Sequence, residues 1–155
     1  YMILDLPPGT GDVQLTVVQT IPLTAAILVS TPQDVALADV RKGKTMFDNV
    51  NVPTVGIVEN MAYFSPPDQP DRKYYLFGRG GAQNLSRELD VPFLGEIPIE
   101  QEVREGGDDG RPVVLSHPDS KSAQAFNEMA DRVVEQVAIR NAQDDPTQKV
   151  EILYR

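Results

Sequence analysis

The sequence predicts an α/β fold in which a parallel sheet carries helices on both faces. Three observations predict it. Apolar runs at residues 25–30 (AAILVS), Thr54–Glu59 (TVGIVE) and 91–97 (VPFLGEI) are continuous rather than alternating, as strands buried on both sides must be. Between them lie stretches whose apolar residues recur at helical spacing. Polar residues and glycines cluster just past the strands, where open parallel sheets place their sites.

In order, Met2, Ile3 and Leu4 read as a buried strand that ends on Asp5 and opens onto Pro7, Pro8, Gly9 and Gly11. P-loop nucleotide hydrolases place the acid that helps hold Mg2+ in this way, with loop amides near the terminal phosphate. A strand followed by a tight turn fits the same residues, because Pro-Pro-Gly makes turns. Asp12 is suited to cap a short helix through Thr20, with Val13, Val17 and Val18 apolar, that ends before Pro22. After the strand at 25–30, residues Thr31 to Asp34 start a helix to about Asn49. Thr54–Glu59 runs straight into Asn60 and Met61, so Asp5, Thr31 and Asn60 all fall at carboxyl ends of strands.

Residues 62–77 (AYFSPPDQPDRKYYLF) are too rich in proline for a helix and predict a surface loop or hairpin. A mere connector is one reading; a binding surface is the other, favoured by the aromatic residues. Gly78, Gly80 and Gly81 look like a phosphate loop but lack a Lys-Ser/Thr ending, which favours the start of a helix over residues 82–89. Pro98 closes the fourth strand. A short helix over 100–105 gives way to glycines and an acidic turn, and the last helix spans 120–140 with Ala123, Phe126, Ala130, Val133, Val134 and Val137 as its buried face. Residues 141–147 read as a polar linker and 150–154 (VEILY) as an edge strand or interaction tail, dividing the chain into a domain over 1–140 and a tail over 141–155.

Composition narrows function. With 155 residues and 41% hydrophobic content, one ordinary core can form. A net charge of -9 opposes binding to nucleic acid or anionic lipid. There is no cysteine, which rules out disulfides, thiolate catalysis and thiolate-held iron from this chain. No apolar run approaches the ~20 residues of a membrane span, and no signal or transit peptide is evident, so a cytoplasmic location is expected. Because the sequence starts with Tyr inside an apparent core strand, it is expected to be part of a longer domain. Asp68 and Asp71, beside Arg72 and Lys73, read as solvated carboxylates rather than a hard-cation site. His117, in LSHPDS, reads as a surface turn.

The segments DLPPGTGD (5–12), STPQDVALADVRKG (30–43), VGIVENMAYF (55–64), FGRGGAQ (77–83) and VPFLGEIPI (91–99) closely resemble the Mrp/ApbC family, in the same order and spacing from Tyr1 to about Arg140. Members of that family are ATPases of the MinD/ParA branch of P-loop proteins, described as carriers or scaffolds for iron-sulfur clusters. The resemblance implies ATP and Mg2+ as cofactors, a partial MinD/ParA-like fold, a homodimer, and iron-sulfur clients or scaffolds as partners. Asp5 would support Mg2+ through water, Pro7, Pro8 and Gly9 would belong to the switch loop that senses the terminal phosphate, and Asn60 would read the adenine edge. Pro98, Ile99 and Glu100 would pack around the base, and Asp39 would lie at the dimer face. Tyr63, Phe64, Tyr74 and Tyr75 would present the client loop.

Two departures follow. Nothing here matches the family's phosphate loop, so the chain alone is expected neither to bind ATP tightly nor to hydrolyse it. Where cluster-carrying members have Cys-x-x-Cys, residues 65–75 read SPPDQPDRKYY, which lacks the soft donors an iron-sulfur cluster needs. Two other readings remain open. A MinD- or ParA-like positioning ATPase would need a basic amphipathic C-terminal helix, whereas Glu128, Asp131 and Glu135 lie on this one. A non-catalytic interaction module would use the cysteine-free loop alone.

Overall fold

A computed structural model of the protein describes residues 1–7 and 11–143. Its elements in chain order are α1 (Asp12–Thr20), β1 (Ala26–Ser30), α2 (Asp34–Asn49), β2 (Thr54–Glu59), α3 (Gly81–Glu88), β3 (Phe93–Glu96), α4 (Gln101–Asp108), α5 (Val113–Ser116) and α6 (Lys121–Asn141). The strands form one parallel sheet in the order β1-β2-β3. Parallel neighbours require long crossovers, which α2 and the segment through α3 supply.

Side chains alternate across each strand, so neighbouring residues enter different cores. Leu28 and Ile57 pack with Leu37 and Phe47 of α2 and Leu85 of α3 on one face. Val58, Leu94 and Ile97 pack with Phe126, Met129 and Val133 of α6 on the other. Arg41 of α2 grips Glu88 of α3 through two hydrogen bonds of 3.0 and 2.7 Å, bracing the first helical layer. Leu94 is skipped in the β2–β3 register, a bulge, and its carbonyl accepts from Arg132 Nη1 at 2.9 Å. Helix α6 starts at a double cap: Ser120 Oγ accepts from Ala123 N at 3.1 Å, and Glu100 Oε2 accepts from Ser122 N at 2.8 Å.

The structure corrects the sequence reading in several places. Met2, Ile3 and Leu4 form no strand and pair with no described strand; Tyr1, Met2 and Ile3 face solvent, at 89, 81 and 78% exposure. An apolar run becomes a strand only where a neighbour completes its hydrogen bonds. Helix α1 begins at Asp12, with Gly11 rather than Asp12 at the cap position, whereas α2 begins at Asp34, within the stretch expected to start it, and ends at Asn49 as expected. The expected face of α6 is only partly covered: Ala123 is buried, but Ala130 and Val134 are exposed. At about 31 Å for its 21 residues, α6 outreaches the strands beneath it. It packs on β2 and β3, which leaves Ile27 and Val29 of β1 exposed on that side. The tail at 150–154 lies outside the described residues.

Helix α4 runs through both glycines that were expected to end it. Gly106 is required there, since a Cβ would fall 2.4 Å from the Arg111 carbonyl oxygen. Gly107 has open space instead. Gly107→Ala is therefore expected to stabilise the chain by about 0.5–1 kcal/mol, because alanine costs less backbone entropy in a helix, and chemical denaturation would show a higher midpoint.

Candidate functional site

The carboxyl ends of the three strands are tied into one rim by backbone hydrogen bonds. Asn60 N donates to Ser30 O at 2.7 Å, linking β2 to β1. On the other side Ile97 N donates to Glu59 O at 2.8 Å, Ala62 N to Ile97 O at 3.0 Å, and Ile99 N to Tyr63 O at 2.7 Å. Asn60 is thus held between the end of β1 and the segment 97–99. Its own Oδ1 accepts from Met61 N at 2.9 Å, which supports a left-handed turn at Met61 (φ 54°). The half-buried Asn60 therefore serves the turn through its oxygen, which leaves its amide nitrogen as the donor of the side chain.

Pro98 is buried, and Ile99 is half-buried. Glu100 is committed elsewhere, because its carboxylate caps α6. Pro7 O accepts from Gln14 Nε2 at 2.8 Å, which fixes the start of the opening loop to α1. Pro8 and Gly9 lie outside the described residues. Asp5 is exposed, and among the described residues no cluster of three or more His, Cys, Asp or Glu could hold a metal ion. A single accessible carboxylate fits a cation held chiefly by water and phosphate, as Mg2+ is. Asp39 is exposed on α2, paired with Lys42 at 3.0 Å.

The residue that sequence reasoning missed is Glu59. Only 1% exposed, it ends β2 and turns its carboxylate into the first turn of α3, where Oε1 accepts from Gly80 N at 3.2 Å and Oε2 from Ala82 N at 2.7 Å. Burial pushes its pKa above the ordinary value, against the opposing pull of these backbone donors, and the charge of Glu96 adds to the rise. The amides of Gly80 and Ala82, which a phosphate at this helix start would use, are therefore already bonded to the Glu59 carboxyl group, and Gly78 N donates to Tyr75 O. No alternation along β2 marks this residue, since the strand is buried on both faces; the one signal is an acid that closes a continuous apolar run.

Residues 62–79 form a minimal hairpin. Phe64 and Tyr74 exchange two backbone hydrogen bonds of 2.9 and 2.8 Å, and Lys121 of α6 donates to Pro70 O. The rings of Tyr63 and Tyr75 meet edge to face at 6.4 Å, and Tyr74 is exposed. The loop is thus a shaped surface placed beside Asn60.

Comparison with known proteins decides the family. The description "ParA: NUBPL iron-transfer P-loop NTPase" matches residues 1–134. The chain belongs to this family. Among curated relatives, it is 52% identical over 139 residues to an iron-sulfur cluster carrier protein of Synechocystis, covering 90% of this chain and 39% of the relative. It is 48% identical to the iron-sulfur cluster transfer protein NUBPL of Mus musculus, covering 86% of this chain and 42% of the relative. The chain thus spans about two fifths of the length of these relatives. A nucleotide-binding protein from Archaeoglobus fulgidus, solved in complex with ADP, superimposes with a TM-score of 0.63 at 41% identity, covering 74% of this chain and 46% of that one. The cell division ATPase MinD of Pyrococcus furiosus follows at 0.56 and 27% identity, over 72% of this chain and 43% of that one. This member of the ParA/NUBPL family therefore has the parallel sheet and helices of a P-loop NTPase, and no helix among its described residues is long and apolar enough to cross a membrane.

Proposed function

We propose that this chain supplies the adenine-side and client-side half of an ATP-dependent, dimeric protein that serves iron-sulfur cluster assembly in the cytoplasm. Support comes from the position of Asn60, pinned at the rim between β1 and segment 97–99, in a chain 41% identical to a protein solved with ADP. Bound Mg-ATP would supply the phosphoanhydride for in-line phosphoryl transfer to water. The Asn60 amide nitrogen would donate to a ring nitrogen of adenine, while Pro98 and Ile99 flank the base. Asp5 would orient water on the cation, and Pro7, Pro8 and Gly9 would respond to the terminal phosphate. Asp39 would face a second subunit, and Tyr63, Phe64, Tyr74 and Tyr75 would meet the client. Having no thiolate, the chain would act on the cluster's carrier or recipient rather than hold the cluster itself.

A chimera that joins these residues to the remainder of the Synechocystis relative tests the nucleotide part. Calorimetric titration of Mg-ATP is expected to give micromolar binding for the chimera and none for the 155-residue chain alone. In the chimera, Asp5→Asn should lower kcat for ATP hydrolysis by about 100-fold, and Asn60→Ala should raise KM for ATP by about tenfold. Hydrolysis within twofold of the parent after Asp5→Asn would overturn the reading. A positioning role of the MinD kind has less support, since Glu128, Asp131 and Glu135 interrupt α6 as a membrane-binding helix.

A further inference from the structure

Three cations on the 62–79 loop lie over tyrosine rings. Lys73 Nζ sits 3.8 Å from the centroid of Tyr63, Arg72 Cζ lies 4.8 Å from that of Tyr74, and Arg79 Cζ lies 4.8 Å from that of Tyr75. Among the described residues none of the three is in an ion pair, although the loop carries Asp68 and Asp71. All three are exposed. Arg72, Lys73 and Arg79 are turned onto ring faces, with Gln69 Oε1 accepting from Arg72 Nη1 at 3.3 Å, and no described carboxylate lies within ion-pair distance to neutralise their charge.

We infer that this loop is a docking site for a short acidic segment of a protein partner, whose carboxylates pair with Arg72, Lys73 and Arg79. The inference rests on the reading of this loop as the client contact and names the chemistry of the client. The rings hold the cations in place before binding, so less side-chain freedom is lost on docking. The backbone bonds between Phe64 and Tyr74 and the tie from Lys121 to Pro70 hold the platform. Leu76, 61% exposed beside the cations, offers an apolar contact. An extended polyanion such as a nucleic acid or an anionic membrane would run past the loop onto a chain whose net charge is -9, and would be repelled. A short acidic segment would not.

The test is fluorescence anisotropy with the 155-residue chain and a labelled peptide of Asp and Glu around one Leu-Phe pair. Binding should weaken at least about tenfold between about 50 and about 500 mM salt. It should weaken about tenfold or more when Arg72→Gln, Lys73→Gln and Arg79→Gln are combined, with circular dichroism confirming the fold. Arg72→Glu, Lys73→Glu and Arg79→Glu together should transfer binding to a Lys-rich peptide. Equal binding of an Asn/Gln peptide, binding unchanged by the triple glutamine chain, or binding only to a DNA duplex or to phosphatidylserine vesicles would overturn the inference. Mg-ATP titration of the chimera carrying the triple glutamine change separates the two readings. Unchanged nucleotide binding with no peptide binding in the parent sinks the docking site alone, and retained peptide binding with no nucleotide binding in the parent chimera sinks the ATPase reading alone.

Discussion

Glu59→Ala is expected to destabilise the chain by about 3 kcal/mol. The substitution leaves Gly80 N and Ala82 N without their carboxylate acceptor in a region where Glu59 itself is 1% exposed, and each orphaned buried donor costs about 1–3 kcal/mol. Part of that loss is offset because burying the carboxylate was itself costly, which is the cause of its raised pKa. The same shift gives a pH dependence of definite sign. A carboxyl whose folded pKa lies above the unfolded value binds its proton more tightly when folded, so its contribution to stability is complete below the unfolded value. That contribution is lost as pH rises from below 4.5, the ordinary value, through the raised one. Glu59→Gln keeps the shape but cannot ionise, and should remove this slope while retaining an acceptor for Ala82. Denaturant titrations of the parent and the glutamine chain across that window measure it. A cost of Glu59→Gln that stays constant or grows as pH rises would contradict the assignment.

Gly81→Ala is expected to cost about 3 kcal/mol, at the upper end of what overpacking produces. A Cβ at Gly81 would lie 2.3 Å from Pro32 O, 3.0 Å from Pro32 C and 2.9 Å from Leu37 Cδ1. Two of those atoms are backbone, so the clash can be relieved only by moving α3 away from the turn after β1. That movement would also stretch the bonds to Glu59. Gly80→Ala is the control: its Cβ would meet nothing within 4 Å, but its φ of 66° is left-handed, so about 1 kcal/mol is expected. Thermal melts that rank Gly80→Ala as the more damaging change would refute the steric account.

The sheet was legible because β1 and β2 are nearly continuous apolar runs of the kind parallel sheets use; β2 is buried on both faces, whereas β1 is covered on one and leaves Ile27 and Val29 exposed on the other. Thr54–Glu59 matches its expected span, and the other strands and the long helices lie within a few residues of theirs. What was not legible depended on the neighbours of each segment. Met2, Ile3 and Leu4 have a strand's composition, but composition does not reveal whether an adjacent strand is there to pair with. The periodicity of α6 marks an apolar stripe and says nothing of how much sheet lies under it, hence the exposed Val134. Gly106 and Gly107 look like a helix terminator until the close approach of Arg111 O explains why the first must lack a side chain. At the rim, Asn60 was visible as an amide following a strand, whereas Glu59 resembled an ordinary solvated acid. Its role depends on α3, which begins 22 residues later.

Tyr63 does two jobs with two parts of one residue. Its carbonyl accepts from Ile99, in the segment proposed to flank a base, and its ring supports Lys73, in the loop proposed to grip an acidic partner. A load applied to that ring is therefore one peptide unit away from the neighbouring strand end, with Tyr63 as the fulcrum. Either Ile99 follows the tilt, or the 2.7 Å bond between them breaks.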